Sequence, residues 1–459
     1  MDVSEVFANH LVNVEYKDIP LPVAEVTKMS ILDTLGVIIG ASGTATGIKG
    51  LVELIEEIDG KKESTILGFG KKAPAWLAAF VNGAMAHCLD YDDVHEARLH
   101  PSSSTVPAGV AVAERVGKIS GKELITAVAL GNDITCRLGY AAGFDNGWHI
   151  SPVLGIFGAV ATSAKLLRLE ADKIVDAFGI GLCQSAGTKE LRSGVGSNLG
   201  GMYPSFPAQG GVLSALMAQK GITGIKNTFE GKAGLFNVYF GGKYDRARLL
   251  GGLGKEFEGI NVGFKAWPSC RVTHAYIDAT LGILSENNVP PDEIEAVTVY
   301  VGDHAQVLCE PLEARRHPET VLDAKYSIPF TVAIAATKSN VVISDFSPEG
   351  LKDQQVLRLA ERVNPEFDRR YNHSKDMPPY RGEVRITTKK GDKYQNKVDY
   401  PYGHPSKPLA PEDIVAKFRD CATYAAKAIP SEKVERVIEA VTGLEQLSDV
   451  RDVMRMLEC

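Results

Sequence analysis

Small residues recur every three or four positions inside long apolar stretches of the first half, as in GIFGAVATSA at 155–164. Ala, Gly and Ser on one helical face let backbones approach closely, so a chain written this way is confined to tight helix-on-helix packing. The pattern predicts buried helices over Val23–Gly40, Ala73–Leu89, Thr105–Val116, Lys122–Gly139 and Val153–Leu169. No alternating strand pattern interrupts them up to about residue 260, so the first half reads as all-helical.

After that point the pattern changes. Glu293–Val301 (EIEAVTVYV) alternates and is rich in β-branched residues, and Gly382–Tyr400 reads as a hairpin around KKGDK. Helical patterns at Arg271–Glu286, Tyr326–Thr337 and Val356–Val363 accompany them. The tail returns to helices at Pro411–Ala428 and Ser431–Thr442, the first opened by acids after a proline. The expected fold is mainly α with a smaller α+β domain. Residues 1–264 and 401–459 form a large discontinuous all-helical domain, into which an α+β lid domain, 265–400, is inserted.

Composition narrows the function classes. The chain has 459 residues, 44% hydrophobic and 23% charged, enough to bury a large core. Fifty Lys and Arg against 57 Asp and Glu leave a net charge of −7 with no long basic run, which argues against nucleic acid as a partner. The longest apolar run, Val153–Ala164, is about 12 residues, short of the roughly 18 that span a bilayer. The opening MDVSEVFANHL lacks the cationic start of a secretory signal. Seven scattered cysteines with no C-x-x-C pair suggest neither a disulfide framework nor a zinc site. A soluble cytoplasmic protein without membrane contact is expected.

The densest polar cluster follows an apolar helix at Leu89–Pro101, LDYDDVHEARLHP, and holds Asp90, Asp92, Asp93, His95, Glu96, Arg98 and His100. Carboxylates beside imidazoles can orient a ring and raise its basicity for proton transfer. The same residue types can hold a divalent metal, or form a self-neutralising turn. His149, in a Gly- and Pro-bounded loop before a small-residue helix, is a second candidate, with local packing as its alternative. Lys265 and Arg271, in KAWPSCRVTH at the expected domain junction, suit a substrate carboxylate. There Cys270 reads as a buried inert thiol, with a nucleophile beside two cations as its alternative, and His274 as packing. TKELR adds Lys189 and Arg192, which could equally be an ordinary helix end. GSNLGG at 196–201 matches no nucleotide-binding loop.

Taken in order, HCLDYDDVHEARLHPS, GWHISPVLGIFGA, AQGGVLSALMAQKGITG, KAWPSCRVTHAYIDA, TVLDAKYSIPFTVAIA and YGHPSKPL followed by KF resemble the MmgE/PrpD family. That family includes 2-methylcitrate dehydratase, cis-aconitate decarboxylase and iminodisuccinate epimerase. The resemblance runs nearly end to end. It implies a helical domain built from both chain ends plus a smaller α+β domain, a homodimer, an active site at the domain cleft, and no metal or organic cofactor.

Asp90, His100, His149 and Lys265 keep the residue types of the decarboxylase motif. Val94, Gly200, Cys270 and Phe330 replace its Thr, Lys, His and Tyr. The retained residues are the proton-transfer set, whereas the replaced ones remove proton donors and carboxylate ligands, which argues against cis-aconitate as substrate. The expected activity is a cofactor-independent lyase, of dehydratase or decarboxylase type, acting on a small di- or tricarboxylate. His100 and His149 form its acid–base pair, Asp90 orients one of them, Lys265 and Arg271 anchor carboxylates, and Lys189 or Arg192 stands in for the lost Lys. An epimerase or isomerase of a small (amino)dicarboxylate, or a non-catalytic carboxylate-binding homologue, are the alternatives.

Overall fold

A computed structural model describes residues 2–143, 147–193, 197–374 and 377–458, without the side chains of 192 and 193. It divides into two compact units: Met1–Val262 with Ala410–Cys459, and Gly263–Leu409.

The first unit is mainly helical. Its central helices are α1 (Leu21–Thr44), α2 (Ala75–Cys88), α3 (Ser102–Val116), α4 (Gly121–Ala141), α5 (Ile150–Leu166) and α6 (Ser205–Gln219). Helix α4 starts in a capping box, in which Ser120 accepts from the Glu123 amide and Glu123 accepts from the Ser120 amide. Small residues set the spacing of α4 and α5, as their recurrence suggested. A Cβ added at Gly131 would collide with Thr162 and lie 2.8 Å from the Gly158 carbonyl. One added at Gly158 would collide with Thr135 and lie 2.7 Å from the Gly131 carbonyl. Likewise Gly83 of α2 meets the Pro204 carbonyl and Ala208 at the start of α6.

The first half is not wholly helical. Ser64–Ile66 and Lys71–Ala73 form a short antiparallel hairpin, with Thr65 opposite Lys72. Three residues per strand are too few to show a period. Helix α3 also starts three residues before the expected Thr105, which brings Ser102 and Ser103 into its first turn.

In the second unit, α7 (His274–Asn287) and α8 (Ile328–Lys338) pack with a four-stranded sheet. Its strands are β1 (Ile294–Val301), β2 (Val363–Phe367), β3 (Gly382–Thr388) and β4 (Lys393–Val398), in the order β2-β1-β3-β4. Strand β1 pairs in parallel with β2, Val297 opposite Val363, and antiparallel with β3, Val297 opposite Ile386. Val297, Val299, Val384 and Ile386 face a core completed by Tyr276, Ile277 and Ile283 of α7 and Phe330 of α8. The expected helix at 356–363 ends at Ala360, and Val363 already belongs to β2. An apolar run that passes from helix to strand hides the boundary.

The chain then returns to the first unit with α9 (Pro411–Thr423), which lies along α1: Gly36 approaches Phe418 and Gly40 approaches Cys421. No single helix among the described residues is long and apolar enough to cross a membrane. A bent pair, Leu21–Thr44 with Ile48–Ile58, passes by length and composition only, and its first helix is largely buried within the first unit.

Candidate active site

The ends of four helices meet around a group of buried histidines. His87 lies in the last turn of α2 and His100 just before α3, while His149 is the N-cap of α5 and Tyr203 precedes α6. All four are buried. Their rings form a continuous series: His100 to His87, His87 to Tyr203 and Tyr203 to His149, each pair with centroids 4.6 Å apart.

Asp92 is the carboxylate shared by two of these rings. The Nδ1 of His87 lies 2.9 Å from each Asp92 oxygen, and the Nδ1 of His100 lies 3.1 Å from Oδ2. Ser103, in the first turn of α3, also donates to Asp92. His100 Nδ1 is 2.8 Å from the Asp93 carbonyl oxygen, which can only accept, so that nitrogen carries the proton. In the neutral ring the lone pair of His100 is then on Nε2. Asp92, two residues after Asp90, is the carboxylate that these contacts set against both rings. Asp90 is buried with φ of +49°, a left-handed conformation Asp tolerates, and its amide donates to the His87 carbonyl at 2.7 Å.

Asp93 is held from three directions. Ser102 donates through its hydroxyl at 2.5 Å and its amide at 3.3 Å, and the Ser30 hydroxyl of α1 lies 3.5 Å away. Asn132 of α4 donates to the Ser102 hydroxyl at 3.0 Å and accepts from Thr105 at 2.6 Å, which extends the network into the helical core. Burial raises the Asp93 carboxyl from 3.8 to about 7, opposed by the Ser102 hydrogen bond and assisted by the neighbouring Asp92 charge.

The segment of His149 is tied to that of His100. The His100 amide donates to Ser151, in the first turn of α5, at 3.1 Å, and the His149 amide donates to the Gly187 carbonyl at 3.0 Å. Thr188 bridges to Trp148, so Lys189 follows the strand-like segment beside His149, with its side chain exposed. The side chain of Arg192 lies outside the described residues.

The rest of the acidic cluster is structural. His95 and Leu99 bridge across a tight turn that leaves Glu96 and Arg98 exposed. Burial lowers the His95 ring to about 4, Glu96 opposing and Arg248 assisting, so it packs neutral and edge-on to Tyr140. The segment divides into two adjacent halves, a tight turn at His95–Leu99 and a buried stretch in which Asp92 and Asp93 contact His100.

Lys265 and Arg271 belong to the second unit, where Lys265 is fully buried and Arg271 opens a 3-10 turn, Arg271–Thr273, before α7. Cys270 is fixed by its amide to the Lys325 carbonyl at 3.0 Å, and His274 packs edge-on to Trp267. A Cβ at Gly403, whose φ is +89°, would collide with the Phe264 carbonyl. The YGHPSKPL and KAWPSC segments thus approach backbone to backbone.

Among the described residues, two groups of three side chains could offer atoms to a metal: His87, Asp92 and His100, and Glu313, His317 and Glu361. In the first, the Nδ1 of both histidines faces Asp92 and that of His100 also meets the Asp93 carbonyl, contacts that make a hydrogen-bonded triad. The second is an exposed ion-pair group in which His317 contacts Glu361 and Arg316 lies 3.6 Å from the same carboxylate. His87 and Tyr203 were not singled out from the sequence. The available signal for His87 was a histidine ending an otherwise apolar helix, five residues before Asp92; Tyr203 carried none.

Residues 5–247 match the model of the MmgE/PrpD N-terminal domain and residues 267–446 that of the MmgE/PrpD C-terminal domain. The chain is 26% identical over 475 residues to cis-aconitate decarboxylase of Mus musculus, covering 99% of this chain and 93% of that protein. It is 27% identical to cis-aconitate decarboxylase of Aspergillus terreus, covering 97% and 94%, and 25% identical to that of Homo sapiens, covering 99% and 94%.

Proposed function

The chain belongs to the MmgE/PrpD family, and from that premise we propose that it is a cofactor-independent lyase, of decarboxylase or dehydratase type, acting on a small di- or tricarboxylate. The similarity to cis-aconitate decarboxylases supports the lyase class. The observation that carries the mechanism is the tautomer of His100: with Nδ1–H held by the Asp93 carbonyl, its basic lone pair is on Nε2.

For loss of water, one imidazole of the His100–His149 pair removes a proton from the carbon next to a substrate carboxylate and the other protonates the departing hydroxyl. For loss of carbon dioxide, no C–H proton is removed. The electron pair of the broken C–C bond stays on the substrate carbon, and one protonated imidazole delivers the single proton that carbon takes up. Lys265 and Arg271 are assigned to substrate carboxylates because they are buried cations, Lys a point charge and Arg a bidentate fork. Lys189 and Arg192 are assigned as supplementary cations, and Asp90 remains a candidate beside Asp92. The replacements at Val94, Gly200, Cys270 and Phe330 favour a substrate other than cis-aconitate. A cytoplasmic homodimer completes the proposal, its subunit number measurable by light scattering.

The test is NMR of the protein in D₂O with citrate-like, aconitate-like and aminodicarboxylate compounds. Loss of carbon dioxide from one of them with solvent deuterium entering the product, or loss of water with deuterium entering the substrate on reversal, is expected. His100→Gln and His149→Gln should each lower that rate by about 10²–10⁴-fold with the fold intact. Two bases flanking one carbon can also invert it, and exchange without elimination would select that second reading. Binding without exchange across the panel would overturn both in favour of a carboxylate-binding protein.

A further inference from the structure

Lysine is seldom fully buried, yet Lys417 of α9 is only 6% exposed and points at the loop before His100. Its Nζ lies 2.7 Å from Asp33 of α1, donates to the Tyr91 carbonyl at 2.5 Å, and stands 3.7 Å from the centroid of the Tyr91 ring. Asp33 is 1% exposed. Burying two charges costs several kcal/mol of desolvation, so such a pair contributes little to stability and is better understood by what it places.

What it places is specific. The Tyr91 carbonyl belongs to the peptide that carries the Asp92 amide, so the ammonium grips the plane leading into the carboxylate shared by His87 and His100. One turn earlier on α1, Ser30 reaches Asp93. Helices from the two ends of the chain therefore hold the same four-residue loop, Asp90–Asp93, from behind.

We propose that Lys417, paired with Asp33, is a positioning residue for the His87–Asp92–His100 triad, and that the C-terminal return of the chain thereby sets the geometry of the acid–base site. The catalytic part of this inference rests on the proton-transfer reading above; the positioning part does not.

The variants are Lys417→Met, which keeps length and loses charge, and Asp33→Asn, which keeps volume and loses the partner. Each is read by steady-state exchange kinetics on the substrate found in the D₂O panel, by ¹⁵N NMR of the histidine rings, and by melting temperature. Lys417→Met is expected to lower kcat by about 10²-fold, the scale of a catalytic group misplaced by about 1 Å, with KM unchanged. The His87 and His100 ¹⁵N signals should move away from the Nδ1–H tautomer, and Asp33→Asn should do the same to a smaller extent. Lys417→Arg, which can still donate to the carbonyl, should recover part of the rate.

A folded Lys417→Met protein with wild-type kcat and imidazole signals would overturn the proposal. If that variant does not fold, Asp33→Asn decides, and wild-type rates and signals there would overturn it equally. Ring signals that shift in a chain whose wild type exchanges no carboxylate would uphold the positioning role and reject the lyase reading.

Discussion

Asp92 accepts from Ser103 and faces the Nδ1 of His87 with both oxygens, while the Nδ1 of His100 lies 3.1 Å from one of them. Asp92→Asn would turn an amide N–H₂ toward at least one of those donors and release a ring to the other tautomer. The expected loss is about 10²–10⁴-fold in turnover with little change in melting, measured by steady-state rate and ¹⁵N NMR. Asp93 makes a separate prediction. Its folded carboxyl is raised from 3.8 to about 7, so between those values the native state holds a proton that the unfolded chain has released. Its contribution to stability therefore falls as pH rises from about 4 to about 7 and is level above that range. Asp93→Asn removes this dependence: the melting temperature of the wild type minus that of the variant should decline across the window, and a constant difference would refute the assignment. At this scale the sequence revealed the cluster but not its division. Nothing in LDYDDVHEARLHP says that a turn at His95–Leu99 separates a neutral packed histidine from one set against Asp92, because that depends on which side chains the later helices bring over it.

The helices of the first unit were legible because their packing is written in small residues at helical spacing. That reading has a measurable consequence at α4 and α5. Gly131→Ala or Gly158→Ala puts a methyl group onto a threonine and a facing carbonyl and should cost about 1–3 kcal/mol or more, seen as a lower denaturation midpoint. Gly50, exposed in Ile48–Ile58 with nothing within 4 Å of an added Cβ, should behave oppositely, with Gly50→Ala gaining about 0.5–1 kcal/mol. Equal effects at the two kinds of position would mean that close approach is not what the glycines provide. What the pattern missed were short or merged elements. The hairpin at Ser64–Ala73 is too brief for a period, and strand β2 begins three residues after the end of a helix that shares its apolar run. In both cases the pairing partner is distant or the strand short, and pairing rather than local preference decides the conformation.

For the whole molecule, the first unit is made from both ends of the chain, and α9 covers a face of α1 that the N-terminal segment cannot cover itself. A chain stopped after Leu409 would leave Gly36 and Gly40 without Phe418 and Cys421 against them. It should elute as aggregate and lack near-ultraviolet dichroism; a monodisperse folded product would show that the return is dispensable. The same arrangement bears on how the protein comes into being. Domains assemble from the N-terminus as the ribosome delivers them, so His87, Asp92, His100 and His149 are translated long before the lysine that grips their loop. A nascent or prematurely terminated product carries every candidate acid and base and still lacks the strut that aligns them. Catalytic competence would then arrive with the last helices translated, and measured turnover would count finished chains rather than translated active-site residues.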